Sequence, residues 1–192
     1  MTGQKDLEAS FYVNSFDVDI NNKILFPTLC RYMQETAYYH AEELELGHSD
    51  LLKKKLIWVL SRFKVVVERY PLWNQKLKVR TWPVGVHRLF ALRDFQVTDE
   101  QNSLVAQAAS SWLVLEEEKR RPVKIEKIFN TEKIGLLESQ FTEPPGKITV
   151  PEEREEGLKR KVRYSDLDRY NHVNNTKYME WIIDNYDLSF LE

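Results

Sequence analysis

The chain has 192 residues, 42% of them hydrophobic, which is enough for one sizeable domain or two small ones. Its 28 basic and 30 acidic residues give a formal net charge of −2, which argues against a nucleic-acid partner. The single cysteine, Cys30, excludes an internal disulfide framework, and the sequence has no signal-peptide core and no apolar run of membrane-spanning length, so we expect a cytoplasmic protein with no membrane partner.

The first 50 residues predict a strand followed by a long helix. Apolar and polar residues alternate from Ser10 to Ile20, which is the period of a half-buried strand. Pro27 suits the first position of a helix, and apolar residues then recur at helical spacing up to Leu44. We predict that Gly47 ends this helix as its C-cap, and that a short second helix follows.

Four strand-like runs come next, over residues 56–70, 75–82, 88–98 and 103–115. Each is rich in β-branched and aromatic residues, and the loops between them are short, which favours antiparallel neighbours. One long helix and a meander of long strands predict an α+β fold in which a curved antiparallel sheet wraps the helix.

Residues 116–156 have a different composition. They begin with a run of charged side chains and contain four prolines, which predicts a surface connection between two structural units. Within this connection, residues 125–137 are predicted to be partly helical.

Polar groups are concentrated between Asp166 and Asn175. We predict a strand over 162–167 from its alternating pattern, and then a polar loop. Asn174 and Asn175 are good N-cap residues, and apolar side chains follow them at helical spacing. His172 therefore precedes a helix N-terminus, where backbone N–H groups can stabilise a carbonyl oxygen that gains charge.

The C-terminal stretch repeats the beginning of the chain. Asp17-Val18-Asp19 and Asp166-Leu167-Asp168 each precede a predicted helix that contains a Tyr-Met pair, although the spacing to that pair differs by three residues. Such duplication indicates two like units. Only the second copy has a histidine in its loop, so catalysis is expected there. The second copy has no sheet after its helix.

Three segments together resemble the acyl-acyl-carrier-protein (acyl-ACP) thioesterase family. They are Asp168-x-x-x-His172-Val173-Asn174-Asn175 with Tyr178 after it, Leu56 to Arg62 with Glu68 to Trp73, and Ser110-Ser111-Trp112 with Arg120-Arg121-Pro122. The resemblance covers Phe11 to Tyr186. It implies a tandem, double hotdog fold in which the second hotdog is incomplete: an N-terminal hotdog over 1–118 that forms the acyl pocket, a linker over 119–157, and over 158–192 the start of a C-terminal hotdog that carries the catalytic motif.

The resemblance also implies a reaction and a set of residues. The reaction is hydrolysis of fatty acyl-ACP to free fatty acid and ACP. The sequence itself has no metal-ligand spacing, no glycine-rich phosphate loop and no Gly-x-Ser-x-Gly motif, so we predict no cofactor and no metal. Asp168 is the implied nucleophile or general base, and His172 the implied partner. The family usually has asparagine at the position of Tyr170, and Asn171, one residue later, is the candidate for its role.

Candidate substrate-binding residues are Asn174, Asn175, Trp58 and Tyr32. Three basic clusters, at 53–55, 119–121 and 159–161, are candidate docking sites for the acidic carrier. Two alternatives stay open, an acyl-CoA thioesterase of the same fold and a non-catalytic acyl-binding or assembly module. A homodimer, the acyl chain length and the choice between the two mechanisms are also open.

Overall fold

A six-stranded sheet and one long helix dominate the computed structural model, which describes residues 5–129, 135–150, 152, 157–187 and 189. The elements are β1 (Leu7–Tyr12), α1 (Phe26–Glu43), α2 (His48–Lys53), β2 (Leu56–Val67), β3 (Lys76–His87), β4 (Phe90–Asp99), β5 (Leu104–Glu116), β6 (Pro122–Val123) and α3 (Asn175–Ile183). Among the described residues, 3₁₀ turns cover Ile125–Lys127 and Tyr164–Asp166.

The strands are antiparallel and lie in the order β1-β3-β4-β5-β2, with β6 on β5. Helix α1 packs its apolar side against this sheet. Leu29 and Met33 of α1 have no exposed surface, and neither do Leu77, Val79 and Phe95 of the sheet. The predicted arrangement of a long helix against an antiparallel sheet is therefore confirmed.

The end of α1 differs from the prediction. The helix ends at Glu43, and Glu45 takes a positive φ of 58°. Gly47 is the N-cap of α2 and not the C-cap of α1. A side chain at Gly47 would collide with the carboxyl group of Glu42, so glycine lets the chain turn closely against the end of α1.

The β3–β4 hairpin is longer than predicted. Residues 85–87, expected in a loop, belong to β3, and a two-residue turn joins His87 to Phe90. Pro83 does not break the strand because the register shifts between Pro83 and Gly85, so its missing N–H falls at a bulge. Arg88 takes a positive φ of 57° in the turn.

The first predicted strand is shifted toward the N-terminus. β1 ends at Tyr12, whereas the prediction placed the strand over 10–20. Asp17 accepts a hydrogen bond from the backbone N–H of Asn14 at 2.9 Å, and Asp17 N–H bonds back to the carbonyl of Asn14. This local turn takes the backbone groups that a strand ladder would need.

The strand predicted over 162–167 was wrong, and the partly helical segment predicted over 125–137 is short. The predicted strand over 162–167 contains a 3₁₀ turn, because the Asp166 carboxylate accepts from the N–H of Arg163 at 2.8 Å and closes the turn locally. Within the segment predicted to be partly helical, 125–137, a helical turn covers Ile125–Lys127, and residues 135–137 are not helical. Residues 130–134 of that prediction lie outside the described part of the chain.

Candidate active site

The loop from Asp168 to His172 is organised by one carboxylate oxygen. Oδ1 of Asp168 accepts hydrogen bonds from the backbone N–H of Tyr170 at 2.8 Å and of His172 at 3.0 Å. The backbone of Asp168 also bonds to the carbonyl of His172 at 2.7 Å. Asn171 takes a positive φ of 60° at the tip. These bonds give the loop one defined conformation.

The loop has a structural twin near the start of the chain. Oδ1 of Asp19 accepts from the N–H of Asn21 at 2.8 Å and of Lys23 at 2.9 Å, and Asp19 N–H bonds to the carbonyl of Lys23. Asn22 has the same φ of 60°. The predicted repeat of the loop is therefore present in atomic detail, with His172 standing where the first copy has Lys23.

The repeat runs at a constant spacing into the helices. Asp19 and Asp168 are 149 residues apart, the same separation as Arg31 and Glu180, which form an ion pair between α1 and α3. At this spacing Trp181 corresponds to Tyr32. The two Tyr-Met pairs are thus not at equivalent positions of the repeat. The three-residue difference in spacing arose because the sequence analysis paired Tyr32 with Tyr178 instead of Trp181.

The predicted N-cap of α3 is confirmed. The Asn174 side chain accepts from the N–H of Thr176 at 3.0 Å and from its hydroxyl at 2.9 Å. Asn175 and Gln34 exchange two amide hydrogen bonds of 2.8 and 3.0 Å, which tie α3 to α1. Neither asparagine lines the cavity described next: Asn174 caps α3, and Asn175 joins α3 to α1.

An apolar cavity of about 550 Å³ lies between α1 and the sheet. Its walls come from α1, from strands β2 to β5 and from the segment after β6. They include Ala37, Ala41, Leu44, Trp58, Val86, Ala91, Leu92, Trp112, Ile125 and Phe129.

Of the two aromatic residues predicted to bind substrate, only Trp58 lines this cavity. Its indole N–H donates to the carbonyl of Leu46 at 2.8 Å, and its ring stacks on Phe129. Tyr32 does not line the cavity. It stacks on Phe11 with 4.4 Å between ring centroids, and its hydroxyl donates to Asp17 at 2.8 Å.

The cavity also contains polar groups that the sequence analysis did not single out. Arg93 lines it, with Nη1 donating to Nδ1 of His40 at 3.0 Å and to the hydroxyl of Thr81 at 3.1 Å. Burial lowers the pKa of Arg93 to about 10, so the guanidinium stays charged at neutral pH. In β4, Arg93 precedes two buried residues, Asp94 and Phe95, but no sequence signal places it in a cavity.

The loop contacts the cavity through residues that were not the predicted catalytic ones. Arg169 and Tyr170 line the cavity, whereas Asp168, Asn171 and His172 do not. Asp168 is half-buried, and Asn171 and His172 are exposed. Apart from the bonds to Oδ1, no hydrogen bond to the side chain of Asp168 or His172 comes from the described residues.

The described segments contain neither a candidate metal site nor a candidate membrane span. No group of three or more potential metal-ligating side chains comes together within those segments. None of the described helices is long and apolar enough to cross a membrane.

An antiparallel sheet that packs against α1, with an apolar cavity between them, is the arrangement of a hotdog-fold protein. A solved acyl-ACP thioesterase from Bacteroides thetaiotaomicron matches it with a TM-score of 0.87 and 27% identity, covering 97% of this chain and 76% of that one. The 12:0-ACP thioesterase from Umbellularia californica shares the fold, with a TM-score of 0.75, 23% identity and coverage of 97% and 72%.

Sequence comparison identifies the family. The model of the acyl-ACP thioesterase N-terminal domain matches residues 4–132, and that of the C-terminal domain matches 150–192. A palmitoyl-acyl carrier protein thioesterase of Gossypium hirsutum is 31% identical over 95% of this chain and 48% of its own length. The chain therefore belongs to the acyl-ACP thioesterase family, and it spans about half the length of the curated relatives that it matches.

Proposed function

We propose that this chain hydrolyses fatty acyl thioesters carried by ACP and releases the free fatty acid. The observation that carries the proposal is the apolar cavity between α1 and the sheet, which the Asp168–His172 loop contacts directly. An acyl chain gains about 0.8 kcal/mol for each methylene that it buries, so such a cavity is a suitable site for it. The names of the matched relatives support ACP as the carrier.

The hydrogen bonding of the Asp168 carboxylate supports a role for it in hydrolysis. Oδ1 is held by two backbone N–H groups, which fixes the carboxylate, while Oδ2 has no hydrogen-bond partner within the described segments. A fixed carboxylate with one free oxygen can bind and deprotonate a water molecule, or attack the thioester carbon. His172, exposed and four residues later, is available to assist. The N-terminus of α3 begins beside it and favours negative charge.

The carrier would dock near the cavity. Two of the three predicted basic clusters lie side by side, because Lys55 is ion-paired with Glu118 at 2.8 Å and its carbonyl accepts from Glu117 N–H. Lys54 lies over the ring of Phe129, 5.4 Å from its centroid, and Phe129 lines the cavity. We propose this surface, formed by 53–55 and 119–121, as the ACP-binding surface.

The test compares two carriers of the same acyl group. We expect faster release of fatty acid from acyl-ACP than from acyl-CoA, and at least about a 100-fold loss in His172→Ala, the scale of a positioned acid or base. Lys54→Glu should raise KM for acyl-ACP and leave KM for acyl-CoA unchanged. Equal rates on both carriers would favour an acyl-CoA thioesterase. Binding of an acyl chain without hydrolysis would favour the non-catalytic module.

We also propose domain boundaries at residues 118 and 157, a cytoplasmic location and a homodimer.

A further inference from the structure

A tyrosine and a histidine meet at the wall of the acyl cavity. Oη of Tyr170 lies 2.5 Å from Nδ1 of His48, and the two rings meet edge-on with 5.0 Å between centroids. Both residues are half-buried, and both line the cavity. In a cavity whose walls are mostly apolar, this pair places a hydrogen-bonding group beside the site of the acyl chain.

The loop fixes the direction of Tyr170. Its backbone N–H is bound to Oδ1 of Asp168, so the phenol and the Asp168 carboxylate belong to one rigid turn. The neighbouring guanidinium of Arg169 lies over the ring of Tyr38 on α1, 5.1 Å from its centroid. His48, at the start of α2, holds the phenol from the other side. Arg169 and Tyr170 are thus the residues of this turn whose polar side chains line the cavity.

The protons on Tyr170 and His48 determine whether the pair can donate a hydrogen bond into the cavity. Burial raises the pKa of the Tyr170 phenol by more than the neighbouring Arg169 guanidinium lowers it, so the hydroxyl keeps its proton at neutral pH. A phenol has one proton. When His48 carries its proton on Nδ1, it donates to Oη of Tyr170, and the phenol proton is then free for a group inside the cavity.

We propose that the Tyr170 hydroxyl, supported by Nδ1–H of His48, donates a hydrogen bond to the thioester carbonyl oxygen of the bound acyl group. This inference rests on the proposed function and assigns a catalytic residue to it. The bond strengthens as the carbonyl oxygen gains negative charge during attack, so it favours the transition state over the substrate.

The test separates the hydroxyl from the ring. Tyr170→Phe keeps the ring and its edge contact with His48 and removes only the donor. We expect kcat for acyl-ACP to fall by about 10²–10³ while KM changes less than about twofold. Tyr170→Asn restores an N–H donor and should recover at least about tenfold of that loss. His48→Leu should lower kcat, by less than Tyr170→Phe does, because it removes only the supporting bond.

Tyr164→Phe is the matched control. Tyr164 lies in the same segment with 94% of its surface exposed, so the same loss of a hydroxyl should leave kcat and KM unchanged. Thermal unfolding of each variant checks the fold.

Three outcomes would overturn the inference. If Tyr170→Phe keeps kcat within twofold, or raises KM alone, the hydroxyl has no part in the chemical step. If Tyr170→Phe is as active as the unsubstituted chain while Tyr170→Asn is impaired, Tyr170 acts only through packing. In each of these three cases the proposed function still holds if the unsubstituted chain hydrolyses acyl-ACP. If the unsubstituted chain does not hydrolyse acyl-ACP, both the proposed function and this inference are overturned.

Discussion

Filling the cavity from α1 should shorten the acyl chains that the protein accepts. Ala41 lies on α1, is half-buried and lines the cavity, so Ala41→Phe directs a phenyl ring into the space that the acyl chain would use. The ring displaces about three methylene groups, and at about 0.8 kcal/mol for each buried methylene the loss is about 2.4 kcal/mol. Since 1.4 kcal/mol is a factor of ten, kcat/KM for a chain that fills the cavity should fall about 50-fold.

The assay is kcat/KM over a series of saturated acyl-ACPs that differ by two carbons. Chains too short to reach the ring should be hydrolysed at the original rate, so the profile should shift toward shorter chains. Glu43→Phe is the control, because Glu43 is exposed near the end of the same helix and its replacement adds the same ring outside the cavity. A uniform fall over the whole series, or an unchanged profile, would refute the assignment of the cavity to the acyl chain.

Three further predictions concern the scaffold. Asn174→Ala should lower the free energy of unfolding by about 1 kcal/mol in denaturant titration, because the N–H of Thr176 loses its cap. Asn174→Asp should restore most of that stability, and equal stability of the unsubstituted chain and both variants would contradict the prediction. Met33→Ala should cost about 2–5 kcal/mol, since Met33 is fully buried between α1 and the sheet, and a loss below about 1 kcal/mol would show that the site collapses around the smaller side chain. Burial raises the pKa of the Cys30 thiol to about 12, so its labelling by a disulfide reagent should stay negligible from pH 7 to 9 and begin only on unfolding. A labelling rate that rises with pH as for a thiol of pKa near 8.5 would show that Cys30 is accessible.

The long helix and the hairpin sheet could be predicted because their signals are local. Apolar residues at helical spacing define α1, and runs of β-branched residues between short turns define β2 to β5. The strand predicted over 162–167 shows the limit of this reasoning. Alternation alone does not form a strand: the residues in that range close a 3₁₀ turn through Asp166 and have no strand partner among the described residues apart from the single bridge between Leu167 and Val173.

The candidate site could be predicted only in part, for a related reason. The Asp168–His172 loop uses bonds between residues two and four positions apart, so its composition and its repeat near Asp19 are visible in the sequence. The contact between His48 and Tyr170 joins residues 122 positions apart. Arg93 reaches the cavity through the packing of α1 on the sheet. No local pattern encodes these contacts, so the polar groups of the cavity became visible only in the folded chain.

The central claim is that Asp168 acts in hydrolysis and does more than hold its loop together. Its twin allows a direct test, in which release of free fatty acid from acyl-ACP is measured for Asp168→Asn and Asp19→Asn. In both variants the amide oxygen can still accept the two backbone hydrogen bonds, and only the negative charge is lost. We predict that Asp168→Asn lowers kcat by at least about 100-fold and that Asp19→Asn leaves it within twofold. Equal effects of the two substitutions would contradict the account and would assign Asp168 the structural role that Asp19 has.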